Sequence, residues 1–344
     1  MLTLPHIGVL PSGPLNAISD VAGVTVGHAT LAQDSIQTGV TVIRPHTGDP
    51  FRDKVPAAAV VFNGFGKSIG LVQVQELGVL ETPIALTNTL SVGAVATGQI
   101  ISAIAANPGI GRTDPTVNPL VFECNDGYLN DIQAMAVTAE HYRQALDSAA
   151  AEFSQGAVGA GRGMSSFDLK GGIGSASRYA TIGGQQYCVG ALVLANFGKL
   201  PALTLAGQRV GAQLLALNKP DSATPEMGSI IMIIATDAPL DARQLGRLAT
   251  RCGIGLARTG SIYGHGSGDL ALAFSTAQTV PYRPLEPVRH SSSLQDNLLD
   301  PLFEAVADST EQAIVNALFA AETVTGRDGH QRQSLYDMAA GQTI

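Results

Sequence analysis

Hydrophobic positions along the chain fall into short unbroken runs set off by glycine-bearing turns. Ala57–Phe62, Pro83–Leu86, Leu120–Glu123, Cys188–Ala195, Ser229–Thr236 and Leu270–Ser275 are such runs. Their lengths suit strands, and apolar runs without alternation mark strands buried on both faces. Helical spacing appears between them. Ser91–Ala106 opens on a capping-type Ser, Asn130–Ala150 is amphipathic, and Asp241–Cys252 repeats Leu245, Leu248 and Cys252 on one side. Leu298–Ala321 is the longest such pattern, with Leu299, Leu302, Val306, Ala313 and Leu318 sharing a face. Strands and helices interleave throughout, which predicts a layered α/β fold.

No period of 20–50 residues recurs, so a solenoid is not expected. The linker-like stretch is Asn218–Met227, polar with two prolines, and it stops abruptly at the apolar run that begins with Ser229. Such a segment reads as an exposed loop. With 344 residues, the chain has length enough for one large core or two modest ones.

Composition narrows the function. Hydrophobic residues at 45% fit a globular protein, whereas charged residues at 14% are scarce. Weakly polar surface of that kind suits burial between subunits, so a homo-oligomer is expected. A net charge of −8 without a basic cluster disfavours nucleic acid and anionic membrane as partners. Met1–Leu10 lacks the basic start and long apolar run of a signal peptide. No run reaches the ~18 apolar residues that span a bilayer, and a cytoplasmic location is expected. Cys124, Cys188 and Cys252 are too few and too widely spaced for a disulfide framework or a metal motif. They read as buried small hydrophobes, and no metal or organic cofactor is expected.

Candidate chemistry gathers at strand ends. Gly228-Ser229 places a hydroxyl on the first residue of a deeply apolar strand, behind a glycine that gives a nucleophile room to reach its carbonyl. If that peptide bond broke, the α-amine of Ser229, with a reference pKa near ~8, would act as general base for its own hydroxyl. Alone, the dipeptide is an ordinary turn before a strand. Ser267 and Asp269, in Gly264-His-Gly-Ser-Gly-Asp269, enter a strand two residues apart and so share a face. They read either as a polar turn or as a serine oriented by an acid. The scattered histidines and the absence of a Gly-x-Ser-x-Gly elbow before a helix argue against a Ser-His-Asp triad through His265. Glu123 and Asn125 lie where a strand ends, the region in which α/β sites form. Helix capping and turns explain their neighbours Asp126, Gly127, Asn130 and Asp131 but leave Glu123 unexplained. Asn196 ends another strand, as a turn residue or as an amide donor to an oxyanion. The glycine-rich stretch from Gly156 to Gly163 and Lys170-Gly-Gly-Ile-Gly174 match neither phosphate-binding pattern, and close packing is expected there.

Taken together, these segments resemble the self-processing aminopeptidase family that includes L-aminopeptidase/D-amidase/D-esterase and the β-peptidyl aminopeptidases, peptidase family S58. Asn16–His28, Phe62–Gly66, Ala85–Thr89, Gly127–Asp131, Lys170–Gly174 and Asn196–Gly198 carry the likeness, and Gly228–Leu240, Leu256–Gly260 and Ser267–Asp269 carry it most specifically. The resemblance implies a four-layer αββα sandwich like that of N-terminal nucleophile hydrolases, with different connectivity. It implies a single domain cut at Gly228/Ser229 into residues 1–228 and 229–344, which stay associated and assemble further into homo-oligomers. It makes Ser229 the nucleophile, Ser267 and Asp269 its supporting network, Asn196 an oxyanion donor and Glu123 the acceptor of a substrate's free amine. Short peptides, amino-acid amides and esters are the implied substrates, and β-peptides or synthetic oligoamides the alternative. A catalytically silent binding homologue would keep the fold uncut. Some members carry a tyrosine with an oxyanion or substrate contact where this chain has Asn125, so Asn125 takes that substrate-binding position here, and Tyr128 does not stand at its place.

Overall fold

The computed structural model describes residues 3–217 and 228–340, so the loop expected over Asn218–Met227 lies outside the described residues. Nine strands carry the architecture: β1 (Thr25–Gln33), β2 (Ile36–Arg44), β3 (Asp53–Gly64), β4 (Ile84–Asn88), β5 (Leu120–Cys124), β6 (Gly172–Ile182), β7 (Gln185–Asn196), β8 (Ser229–Thr236) and β9 (Gly268–Ser275). One sheet runs β1-β2-β4-β5 and the other β3-β9-β8-β7-β6. The second is antiparallel except where β8 and β9 lie parallel.

Four main helices cover the sheets: α1 (Val92–Ala106), α2 (Ala139–Asp147), α3 (Ala242–Arg258) and α4 (Asp300–Ala320). Three cores alternate with the layers. Val92, Val95, Tyr142 and Ala145 of α1 and α2 pack on Val40, Val42, Ala85 and Val121 of the first sheet. Ile43, Ile84, Leu86 and Phe122 meet Ile231, Ile233 and Leu272 between the sheets. Ile230, Met232 and Ile234 then meet Leu248, Leu256, Val306 and Leu318 under α3 and α4. The strand β8 thus divides its isoleucines between two cores, which is why it reads as an unbroken apolar run. Each buried aliphatic side chain of this kind contributes about 1.5–3 kcal/mol. The order is helix, sheet, sheet, helix: the expected αββα sandwich.

Local differences from the sequence reading have local causes. The helix expected over Asn130–Ala150 is a 3-10 turn at Ile132–Ala134 followed by α2. Met135, at φ 45°, breaks the run, and Thr138 starts the second piece with His141 in a reciprocal cap. Ser91 does not cap α1; Asn88 accepts a hydrogen bond from the Ser91 N–H instead. Asp241 does cap α3, accepting from Gln244 N at 2.7 Å. The five residues expected on one face, Leu299 just before α4 and four within it, all join the core, yet α4 is buried around most of its circumference. The N-terminal segment covers its polar side: Gln312 accepts from Ile7 N at 2.8 Å and donates to Pro5 O at 3.0 Å.

Strand β6, hidden by its glycines, is flattened against α4. A Cβ on Gly174 would fall 1.9 Å from Ala313 O. Among the described residues one stretch, Thr89–Ala106, has on average the length and composition to cross a membrane, with a mean hydropathy of 1.5, though it is not an unbroken apolar run. Its glycines, serines and threonines interrupt the apolar run without lowering the average enough. One face packs on α2 and β5, while Leu90, Ile101 and Ile104 are exposed.

Candidate functional site

Four strand ends of the larger sheet meet in one row. The last residue of β7, Asn196, pairs with the first of β8, Ser229. Ser229 pairs in turn with Gly268, the first of β9, and Gly268 with Gly64 at the end of β3. The ladder, not chain proximity, brings Asn196, Ser229, Ser267 and Asp269 together. All four are buried.

At the centre, the Ser229 hydroxyl donates to Gly228 O at 2.6 Å. The backbone N–H of Gly268 lies 3.3 Å from Ser229 Oγ and 3.3 Å from Gly228 O. A hydroxyl is therefore held against the carbonyl of the preceding linkage, with a backbone donor facing both oxygens. Space here requires glycine at 228, since a Cβ would sit 2.8 Å from Phe197 Cα and 2.9 Å from Asn196 O.

On the β9 side, Ser267 donates to Asp269 Oδ1 at 2.6 Å. This is the pairing expected from their two-residue spacing. Among the described residues no hydrogen bond joins Ser267 to Ser229. Asn63, the residue opposite Asp269, ties down the preceding loop. Its amide donates to Gly264 O and His265 O, each at 3.1 Å, and to Ser267 O. His265 enters the site through its carbonyl and forms no triad.

The end of β5 faces this row. Glu123 is buried; its Oε1 accepts from Lys67 N at 2.8 Å and its Oε2 from the Thr89 hydroxyl. An ionised carboxylate has about four acceptor positions, so capacity remains for an ammonium. Gly66 sets the separation: a Cβ there would stand 3.5 Å from Glu123 Oε1 and 3.9 Å from Gly268 Cα. The Asn125 side chain caps its own loop, accepting from Gly127 N at 2.9 Å, while its carbonyl accepts from Asn196 Nδ2 at 3.0 Å. The other face of the Asn196 amide accepts from Ser165 N at 2.8 Å. Asn196 is thus clamped at both ends, with one amide hydrogen committed to Asn125.

Asp126 anchors that loop from inside. It accepts from Asn130 Nδ2 at 3.0 Å, and burial pushes its pKa up to about 6 against the hydrogen bonds it receives. Burial also raises the Cys124 thiol, with the charges of Glu123 and Asp269 adding to the effect. All three cysteines are unpaired and buried, and Cys252 is pushed up to about 12 by burial. They are packing residues, as expected. No group of three metal-ligating side chains occurs among the described residues.

The glycine-rich stretch is packing too. The Lys170 ammonium donates to Gly161 O, Met164 O and Gly171 O at 2.7–2.9 Å. All three donors are spent on backbone carbonyls, which leaves none for a phosphate. Sequence reasoning missed Asn63, Lys67, Thr89, Ser165 and the Gly268 N–H. Asn63 and Thr89 stood inside quoted motifs; backbone donors have no signature in side-chain identity.

Comparison with known proteins gives a consistent picture. The profile of peptidase family S58 matches residues 16–332. The β-peptidyl aminopeptidase BapA of Sphingosinicella microcystinivorans is 38% identical over 346 aligned positions, covering 94% of this chain and 86% of that protein. The crystal structure of the PH0078 protein from Pyrococcus horikoshii OT3 superposes with a TM-score of 0.91 at 50% identity, covering 96% of this chain and 94% of that one. The L-aminopeptidase D-Ala-esterase/amidase of Ochrobactrum anthropi, described as a prototype serine aminopeptidase and a variant of the Ntn-hydrolase fold, superposes with a TM-score of 0.88 at 37% identity, covering 96% and 93%. The present chain has that fold.

Proposed function

The chain belongs to peptidase family S58, and from that premise we propose that it is a serine aminopeptidase activated by its own scission between Gly228 and Ser229. Membership makes it a peptide hydrolase. The choice of nucleophile rests on one observation above all: the Ser229 hydroxyl bonded at 2.6 Å to the carbonyl of Gly228.

The chemistry runs in two stages. In the intact chain, Ser229 Oγ attacks the Gly228 carbonyl carbon, with the Gly268 N–H facing the developing oxyanion. The C–N bond breaks, the amine takes the hydroxyl's proton, and an ester joins Gly228 to Ser229 Oγ. Water then releases the Gly228 carboxylate and a free N-terminal Ser229. In turnover, that amine, with a reference pKa near ~8, accepts the hydroxyl proton as Oγ attacks a substrate carbonyl. Ser267, oriented by Asp269, steadies the amine. The second amide hydrogen of Asn196 joins the Gly268 N–H as oxyanion donor; one such donor is typically worth ~10²–10³ in rate. Glu123 receives the substrate's ammonium by a charge-assisted hydrogen bond. The substrate's C–N or C–O bond then breaks, the leaving group taking the proton held by the Ser229 amine, and water cleaves the acyl-enzyme to release the acid and restore the Ser229 hydroxyl.

The substrates that fit are short peptides, amino-acid amides or esters with a free amine. Likeness to a β-peptidyl aminopeptidase favours β-peptides as a second class. The exposed apolar residues Ile101 and Ile104 of α1, with Leu90 in the turn before it, support a homo-oligomer of processed heterodimers, which a clean monomer on size exclusion would reject. Unpaired cysteines fit a reducing, cytoplasmic setting.

The Ser229→Ala variant tests the proposal. It is expected to remain a single band on a denaturing gel and to hydrolyse neither α- nor β-dipeptides. Processing or turnover by that variant would refute Ser229 as nucleophile. An unaltered protein that stays intact and inert would instead be a binding homologue.

A further inference from the structure

A cleft of about 510 Å³ opens beside Gly228 on the β7 side of the row, bordered by Asn125, Tyr128, Ser165, Asn196 and Arg332. It lies at the opposite end of the site from Glu123, which faces Gly66 and the β9–β3 end. Within the larger sheet the order is Gly268, Ser229, Asn196, then the cleft, and Glu123, on the other sheet, stands at the Gly268 end across Gly66. A substrate with its amine on Glu123 and its carbonyl at Ser229 therefore carries its leaving group past Asn196 into this cleft.

Four charged side chains border the cleft, Asp168, Lys199, Arg327 and Arg332, and they differ in what already occupies them. Arg327 is spent: its Nε donates to Gly127 O at 2.7 Å and its Nη1 pairs with Asp328 at 2.8 Å. Asp168 accepts from Leu200 N at 3.0 Å. Arg332 makes no ion pair among the described residues. Its guanidinium lies 3.7 Å from the Tyr128 ring centroid, and Nε donates to Ser165 Oγ at 3.3 Å. Tyr128 is itself stacked on His330 at 4.7 Å, and Ser165 N is bonded to Asn196. The guanidinium is thus positioned from one side by an aromatic face and from the other by a hydroxyl linked to the oxyanion donor. Its two terminal nitrogens have no protein acceptor within the described residues, a geometry suited to a carboxylate.

We propose that Arg332 is a specificity-determining residue that binds the terminal carboxylate of the leaving group, so that the preferred substrates are free dipeptides and tripeptides. The inference rests on the proposal that Ser229 is the nucleophile and Glu123 the amine site. Amine and carboxylate are then read at opposite ends of one short molecule, which also excludes long chains. A hydrogen bond to a charged group is typically worth about 10–100-fold in affinity.

The test compares kcat/KM for a free dipeptide with that for the same dipeptide carrying a C-terminal amide, using the processed enzyme. The unaltered enzyme is expected to favour the acid by about 10–100-fold, mainly through KM. Arg332→Gln is expected to bring the ratio close to one, and Arg332→Lys to restore part of it. Equal rates on acid and amide by the unaltered enzyme overturn the inference without recourse to any variant. An unchanged ratio in a folded, self-cleaved Arg332→Gln protein overturns it as well. If the enzyme neither cuts itself nor hydrolyses the amide, the failure lies with the nucleophile assignment and not with Arg332.

Discussion

The N–H of Gly268 and the hydroxyl of Ser229 face each other at 3.3 Å across the first rung of the parallel β8–β9 pair. A strand register therefore does what a dedicated side chain does in many hydrolases. On the proposed mechanism it supplies a fixed donor at the reacting carbonyl, one that needs no reorganisation during the reaction.

Widening the residue before the nucleophile should disturb that alignment. In Gly228→Ala the added methyl meets backbone atoms of Phe197 and Asn196 at 2.8–2.9 Å, and neither yields cheaply. Self-cleavage is expected to slow by about 10²-fold, the usual cost of misplacing reacting atoms by an ångström. A time course of band conversion after purification measures it, and wild-type conversion would contradict the packing account.

Removing the Ser267 hydroxyl takes away the donor that holds Asp269 at 2.6 Å. Ser267→Ala should lose about 1–3 kcal/mol of stability and turn over more slowly. Urea unfolding and kcat on a dipeptide amide check both. A loss of stability with unchanged kcat would make the pair purely structural.

Asp126, which is buried, and His28, which is half-buried, give opposite pH dependences over nearly the same range. Asp126 titrates at about 6 when folded against an ordinary 3.8. The folded state therefore binds the extra proton between those values, and stability falls as pH rises through that window. His28 is depressed from 6.5 to about 4 by burial, with a backbone hydrogen bond to Ser154 partly opposing it. Its contribution is full above pH ~6.5 and is lost as pH falls towards 4. Relative to the unaltered protein, Asp126→Asn should gain on the order of 3 kcal/mol between pH 4 and pH 7.5. His28→Gln should shift the other way. Unfolding curves at the two pH values decide, and slopes of the same sign for both variants would contradict the assignment.

Gly174→Ala is expected to destabilise the fold, because its methyl would overlap Ala313 O, 1.9 Å away on α4. Sheet and helix must separate or the variant must distort, and overpacking of this kind costs about 1–3 kcal/mol or more. A thermal melt indistinguishable from wild type would show that α4 is looser than described.

The same glycine explains what the sequence concealed. Strands β7, β8 and β9 were legible because both faces enter apolar cores. Strand β6 was not, because Gly172 and Gly174 trade hydrophobic signal for close approach to a helix. The β1–β2 hairpin escaped for another reason: Thr, Gly, His and Gln interrupt its apolar positions. The break before α2 depended on a left-handed Met135, a conformation for which methionine gives no warning. In the site, Ser229, Ser267, Asp269, Asn196 and Glu123 stood out as polar residues at the ends of apolar strands. The Gly268 N–H did not, since ladder register decides what a backbone amide faces. Arg332 did not either. It reaches the cleft through the small Val324–Thr325/Gln331–Arg332 hairpin, which has too few apolar residues to register as a pattern.

N-terminal sequencing of the purified, active protein, paired with its intact mass, tests the central claim most directly. Two chains are predicted, one starting with Ser-Ile-Ile-Met-Ile from residue 229 and their masses adding up to the full chain plus one water. A single chain of full mass in an active preparation would contradict the account, leaving the site with neither a free amine to act as base nor an unblocked serine.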